Sequence, residues 1–309
     1  MMQRFHYEQF SNPEDLVARK HGQRIAVCIP TLNEAETIGA IVTCIRGSLM
    51  DPVGLVDEIL VIDSGSRDRT MEIAEAAGAR AMLSADIAPE HGSHPGKGEN
   101  LWKALFATKA DILCYIDGDI SGFHPGFVTG LLGPLLTDPD IDYVKAFYQR
   151  PYDNGVSVHP NQGGRVSEIL IRPLLSLFYP ELAGIIQPLA GEYAARRSTL
   201  ESLAFPTGYS VEIAHLIDLL MLGKAHRIGQ TDLIRRFHRN RPDEELGPMA
   251  FAILRTIFHR LQRDGKLQTH QPLPEIFQSW IFHQNGPCPT SSIIPEPERP
   301  PLRTPGLGV

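Results

Sequence analysis

Along the first half of the chain, apolar runs of strand length alternate with stretches whose apolar residues recur at helical spacing. RIAVCIP (24–30) reads as a buried strand, and Ile38, Ile41, Val42 and Ile45 after it fall on one face of a helix. Asn33 and Glu36, just ahead of that run, have the spacing of a helix-capping box. VDEILVID (56–63) reads as a second strand, followed by SGSRD and a helix that closes at Gly78. ARAML, a short third strand, leads through a loop rich in Gly, Pro and His to the helix start GKGENLWKALFA. The strand that begins at Ile112 then ends in CYIDGDI (114–120). Strands separated by helix-length segments predict an α/β fold with a mostly parallel, Rossmann-like sheet and right-handed crossovers. Ligands of such sheets gather at the carboxyl ends of the strands.

The second half is less regular. DYVKAFYQR (142–150), GEYAARR and LIRRFHRN read as strands, and NQGGR opens a helix that runs through IRPLLSLF. VEIAHLIDLLM and MAFAILRTIFHRL read as helices; MAFAILRTIFHRLQ (249–262) carries more apolar residues than an exposed helix needs, which predicts packing in the core or at a subunit interface. From about Gly286 the chain becomes GPCPTSSIIPEPERPPLRTPGLGV, a proline-rich tail expected to be disordered. A chain ended near Gln284 is therefore expected to stay folded.

Composition narrows the function classes. A formal charge of −7 argues against general affinity for nucleic acid or anionic membrane. No apolar stretch approaches the length of a membrane span, and MMQRFHYEQF lacks the apolar core of a signal peptide. The four cysteines show no C-x-x-C spacing, so reduced structural thiols in the cytoplasm are the expectation.

The chemistry starts from the carboxylates of CYIDGDI. Residues i and i+2 of a strand share a face, so Asp117 and Asp119 can converge just beyond the strand end. Like charges that close repel unless they share a proton or a cation. Alone, the pair reads first as a turn in which Asp caps the next segment. However, TLNE, DSGS and DGD all fall at strand ends, and together they favour a ligand site. Glu34 and Asp63–Ser64 can grip a base and ribose there. Lys97, between two glycines at a helix start, can pair with a phosphate. Asp117 and Asp119 can hold Mg²⁺ or Mn²⁺, ions that use one or two carboxylates plus substrate phosphate oxygens. Singly, each has a plainer role as a helix charge, a cap or a solvated lysine; jointly they describe a nucleotide-diphosphate site.

IPTLNEAETIG, VIDSGSRDRT, PGKGENLW and YIDGDI resemble nucleotide-sugar-dependent glycosyltransferases of the GT-A fold. NQGGRVSEILIRPLL, IQPLAGEYAARR, FPTGYSVEIAHLID and FHRNRPDEELGPM, in that order, resemble the glucosyl-3-phosphoglycerate synthase family, from about Arg24 to about Arg260. The resemblance implies a retaining enzyme that moves glucose from UDP-glucose or another nucleotide-glucose to the 2-hydroxyl of 3-phosphoglycerate, as a homodimer. It divides the chain into an N-terminal segment (1–23), a nucleotide-sugar-binding α/β subdomain (24–150), an acceptor-binding subdomain with C-terminal helices (151–285) and the tail (286–309).

Carried over by residue, the resemblance makes Asp119 the main metal ligand, with Asp117 on the ribose or the metal's water shell and His238 a second ligand. Pro30, Leu32, Glu34, Ser64, Lys97 and Gly118 would line the donor site. Leu189 would shape the sugar pocket, and Tyr209 and Glu212 would hold sugar hydroxyls. Gly164, Arg165 and Ser167 would bind the acceptor's phosphate and Asn240 its carboxylate. Arg236 would stabilise the departing charge, and Glu212 is the candidate if a covalent nucleophile is used. Gly118 departs from the serine that the family often carries there, which leaves both carboxylates in place. The alternatives are the same transfer from GDP-mannose and, in a different class, a metal-dependent sugar nucleotidyltransferase. The latter is expected to show a Gly-rich phosphate loop after the first strand, and TLNEAE is not one. The absence of an apolar anchor counts against a transferase acting on a membrane polyprenyl phosphate, and a non-catalytic binder has no need of both metal and acceptor motifs.

Overall fold

An eight-stranded mixed sheet organises the chain, in the order Gln3–His6, Ile228–Arg235, Tyr143–Gln149, Tyr193–Arg196, Ile112–Tyr115, Ile25–Thr31, Glu58–Asp63, Arg80–Leu83. Neighbours are parallel throughout except at Tyr193–Arg196, which runs antiparallel to both of its neighbours. The computed structural model describes residues 2–149, 152–153, 158–159, 164–236, 243–283 and 286–303.

The strands are apolar on both faces because helices cover both. Ile25, Val27 and Ile29 pack with Ile38, Ile41, Val42, Phe127 and Leu131 in one core layer. Their neighbours Ala26 and Cys28 turn to the other, with Leu101, Trp102, Tyr193, Ile213, Leu216 and Ile257. The helix Asp243–Arg263 belongs to that second layer: Ile253, Ile257 and Leu261 are buried in it, and Arg260 pairs with Asp218 at 2.7 Å. Its apolar surplus is thus a core contribution.

Several expectations need correction. The capping box does not form: the helix begins at Ile38 with Thr37 as its N-cap. Asn33 instead has φ +60° and its Oδ1 accepts from the Arg67 amide at 2.9 Å, so the loop is fastened to its neighbour rather than to the helix. The N-terminal segment supplies an edge strand, Gln3–His6. The helix expected through IRPLLSLF does form, with a π-helical turn, Ser167–Ile171, ahead of the α-helix Arg172–Phe178. Above all, the described part of the tail is ordered. Gly286–Ile293 pairs antiparallel with Ile276–His283, and Glu298–Arg299 pairs with Phe205–Pro206. Proline carbonyls here still accept hydrogen bonds: Pro297 O from the Thr207 amide at 2.9 Å, and Pro300 O from Trp102 Nε1 at 3.3 Å.

Candidate active site

The site lies where Ile25–Thr31, Glu58–Asp63 and Ile112–Tyr115 end. Asp63 is a structural residue of the loops there. Its Oδ1 accepts from the amides of Gly65 and Ser66 (2.8 and 2.6 Å), and its Oδ2 from Thr31 Oγ1 at 2.8 Å. Ser64 Oγ accepts from Asn100 Nδ2 at 2.8 Å, and the Glu34 amide donates to Thr70 Oγ1 at 2.8 Å. Leu32, 53% exposed, projects from the same rim. Gly118 is wedged beneath: its carbonyl accepts from Thr37 Oγ1 at 2.5 Å, and a Cβ would lie 3.0 Å from Thr31 Cγ2 and 3.2 Å from Pro30 O.

Around Asp117 and Asp119 the structure gathers a network of charge. Lys97, at the first position of its helix, lies 2.5 Å from Asp117 Oδ1 and 2.9 Å from Glu212 Oε1. Burial works against the ammonium, but Asp117 and Glu212 outweigh it and hold Lys97 well above the usual lysine range. Arg236 Nη2 reaches Asp117 Oδ2 at 3.0 Å and Asp119 Oδ1 at 2.6 Å. Behind it stands Glu192, fully buried, 3.2 Å from Arg236 Nε and accepting from the Tyr148 hydroxyl at 2.6 Å. Burial raises the Glu192 pKa against the opposing pull of Arg236. The buried Lys145 ammonium donates to the Ala190 carbonyl beside Leu189, and burial pushes its pKa down to about 8. Gly191 passes so close to Asp117 and Lys97 that a Cβ would collide with both, which leaves room only for glycine.

Sequence reasoning missed Glu192 and Lys145. Each is a charged residue inside an otherwise apolar strand-like run, GEYAARR and DYVKAFYQR, and that was the available signal. Of the predicted residues, Lys97, Asp117, Asp119, Glu212 and Arg236 form one connected net. Tyr209, 40% exposed, stands two residues before the helix Val211–Met221 that carries Glu212. Gly164 has φ +82°; Arg165 and the buried Ser167 follow it into the helical segment. Arg172 in that segment donates to the Ile186 carbonyl at 2.9 Å, tying it to the Leu189 loop. His238 and Asn240 lie outside the described residues.

The donor set fits a hard divalent cation. Two carboxylates converge on a single cationic nitrogen, Arg236 Nη2, and Asp119 lies at the open side with its side chain 32% exposed. Among the described residues no cluster of three or more His, Cys, Asp or Glu forms a closed cage. Among the described residues, the site is left open to further ligands.

A GT-A-like sheet with this carboxylate pair at its strand ends defines the class, a glycosyltransferase. The model of glycosyl transferase family 2 matches residues 26–201. A glucosyl-3-phosphoglycerate synthase of Petrotoga mobilis is 46% identical over 302 residues, 97% of this chain and 93% of that protein. The crystal structure of glucosyl-3-phosphoglycerate synthase from Mycobacterium tuberculosis with Mn²⁺, uridine diphosphate and glucosyl-3-phosphoglycerate superposes with TM-score 0.85 at 39% identity, covering 98% of this chain and 99% of that one. That of mannosyl-3-phosphoglycerate synthase from Rubrobacter xylanophilus gives 0.87 at 37% identity, over 97% and 94%. The chain belongs to glycosyl transferase family 2 and, within it, to the glucosyl-3-phosphoglycerate synthase family.

Proposed function

We propose that this protein transfers glucose from UDP-glucose to the 2-hydroxyl of 3-phosphoglycerate with retention, using Mg²⁺ or Mn²⁺ held by Asp119 and His238. The observation that carries the reading is the net joining Lys97, Asp117, Asp119, Glu212 and Arg236 at the strand ends, in a chain similar to a synthase crystallised with Mn²⁺ and both products. Glu34, Ser64, Pro30 and Leu32 hold the nucleotide, and Tyr209, Leu189 and Glu212 the sugar. Gly164, Arg165 and Ser167 take the acceptor's phosphate, and Asn240 its carboxylate. The bound ion neutralises the donor's diphosphate and helps it leave.

The chain's own residues prepare that departure. Arg236 is oriented before substrate arrives, by Glu192 behind it and the carboxylates in front, so its charge faces the diphosphate without reorganisation. Lys97 is fixed in the same way by Asp117 and Glu212. Glu212 is tied to Lys97, and Glu192 is sealed behind Tyr148 and Arg236, so neither is poised as a covalent nucleophile. Attack on the face that the nucleotide leaves fits this arrangement. The anomeric carbon–phosphate oxygen bond breaks, the acceptor's 2-oxygen bonds to that carbon, its proton passes to the β-phosphate, and UDP departs.

The homodimer is part of the proposal. The hairpin Ile276–His283/Gly286–Ile293 presents Trp280, 63% exposed, with Ile276 and Ile293, an apolar surface suited to a second copy. No helix among the described residues is long and apolar enough to cross a membrane. All four cysteines are free thiols, which suits a cytoplasmic location. A second reading, transfer of mannose from GDP-mannose, is favoured by the likeness to the Rubrobacter enzyme. One experiment tests both: purified protein with Mg²⁺ or Mn²⁺, a panel of nucleotide-sugars, and 3-phosphoglycerate against other hydroxy acids, read by nucleotide release. Release from UDP-glucose only with 3-phosphoglycerate is expected; release from GDP-mannose alone selects the second reading, and none rejects both.

A further inference from the structure

Lys97 and Glu212 start two different helices, Lys97–Ala107 and Val211–Met221, and their meeting depends on how those helices are joined. The joint is the loop Phe205–Ser210. Its carbonyls cap the first helix: the Gly98 amide donates to Gly208 O at 3.2 Å and the Glu99 amide to Thr207 O at 3.0 Å. The same loop runs directly into the second helix.

The end of the chain fastens this joint from outside. Glu298–Arg299 pairs antiparallel with Phe205–Pro206, and the Thr207 amide donates to Pro297 O at 2.9 Å. Glu296 Oε1 accepts from the amide of Ser210, the N-cap of the Glu212 helix, at 3.1 Å. Arg299 reaches the other helix. Its Nε and Nη2 donate to the two oxygens of the buried Glu99 at 2.8 and 2.7 Å, and its Nη1 to the His91 carbonyl at 2.8 Å. Glu298 anchors the strap to Arg260 at 2.8 Å.

We propose that Glu296 and Arg299 are positioning residues, a clamp that sets the two helix starts so that Lys97 and Glu212 meet over Asp117. The catalytic consequence rests on the glycosyl-transfer reading above. A displacement of about 1 Å in such a site costs on the order of 10²-fold in rate, so a partial loosening is expected to cost about tenfold. Neither residue needs to touch a substrate for this.

The test compares wild type, Glu296→Ala and Glu296→Gln by amide hydrogen exchange, melting temperature and steady-state kinetics; Arg299→Ala adds the second anchor where it folds. Glu296→Ala is expected to speed exchange at Gly98, Glu99 and Ser210 and to lower kcat about tenfold, while KM for 3-phosphoglycerate changes less than about twofold. Glu296→Gln keeps the accepting oxygen and is expected to restore both. The clamp is overturned if exchange and kcat in Glu296→Ala match wild type, if exchange speeds with no loss of kcat, or if Glu296→Gln is as impaired as Glu296→Ala. A wild-type protein with no turnover on any nucleotide-sugar removes the transfer reading instead. Exchange at Gly98 and Glu99 then decides the clamp alone, unchanged exchange overturning it.

Discussion

Lys97 Nζ stands 2.9 Å from Glu212 Oε1, and this contact joins the first half of the chain to the second at the candidate site. Both side chains are largely withdrawn from water, so losing either one leaves the other's buried charge without this partner.

That dependence predicts non-additivity. Lys97→Met is expected to lower kcat/KM by about 10²-fold, the scale for losing a group that stabilises developing charge. Glu212→Gln is expected to do nearly as much, and the double variant to be no worse than Lys97→Met. A double-mutant cycle on kcat/KM checks this; strictly additive losses would refute the coupling.

Asp119→Ala is expected to abolish metal-dependent turnover, a loss of about 10²-fold or more in kcat, while leaving the fold intact. Asp119 ends in a loop outside the sheet, with its side chain 32% exposed, so removing it opens no core cavity. Circular dichroism and melting checks the fold. Chelator-treated wild type is expected to lose activity and to regain it with Mn²⁺; full activity without added metal would rule out the metal role.

Arg165→Ala is expected to weaken 3-phosphoglycerate binding by about 2 kcal/mol, the low end of the range for a charge-paired contact because the side chain is only half-buried. UDP-glucose binding is expected to hold, since the proposed nucleotide site lies at the strand ends. Arg165→Lys is expected to rescue little, an ammonium lacking the planar fork. Separate calorimetric titrations of the two ligands decide it, and equal weakening of both would sink the assignment.

His215 carries a pH prediction. It is fully buried, edge-on to Phe205 and Tyr193, with no hydrogen-bond partner at either nitrogen. Burial, then the nearby Arg260 and Lys145, hold its pKa well below 6.5. Below that pH the unfolded chain binds a proton that the folded protein refuses, so stability falls as pH falls. The slope from this group is about 1.4 kcal/mol per pH unit once the unfolded histidine is protonated. His215→Leu is expected to remove that slope between about pH 6 and 4.5 in urea titrations. Parallel pH dependences of variant and wild type would show that the folded histidine titrates normally.

Much of this site was legible in the sequence because its elements are local. An apolar strand followed by DGD, or a glycine-flanked lysine at a helix start, announces itself within a few residues. What stayed hidden depends on distant partners. Glu192 reads as one charge in a strand until Arg236 and Tyr148 close over it. The tail reads as disordered because prolines suggest a solvated chain. Arg299 nevertheless finds Glu99, and Leu302 enters the core, through pairings that no window of sequence contains. Asn33 had the spacing of a cap, and lost that role to a neighbouring loop.

The reversed strand Tyr193–Arg196 has a consequence for synthesis. It is the seam between Ile112–Tyr115 and Tyr143–Gln149, both of which leave the ribosome earlier. Until residue 196 emerges, those two strands cannot be joined, and each keeps an open edge able to pair with another chain. The edge strand Gln3–His6, made first, waits longer still, because its partner Ile228–Arg235 is the last of the sheet to appear. The nascent chain therefore completes its sheet late, and a ribosome stalled before residue 193 holds an unfinished, adhesive intermediate in which Lys97 has not yet met Glu212, nor Asp117 Arg236.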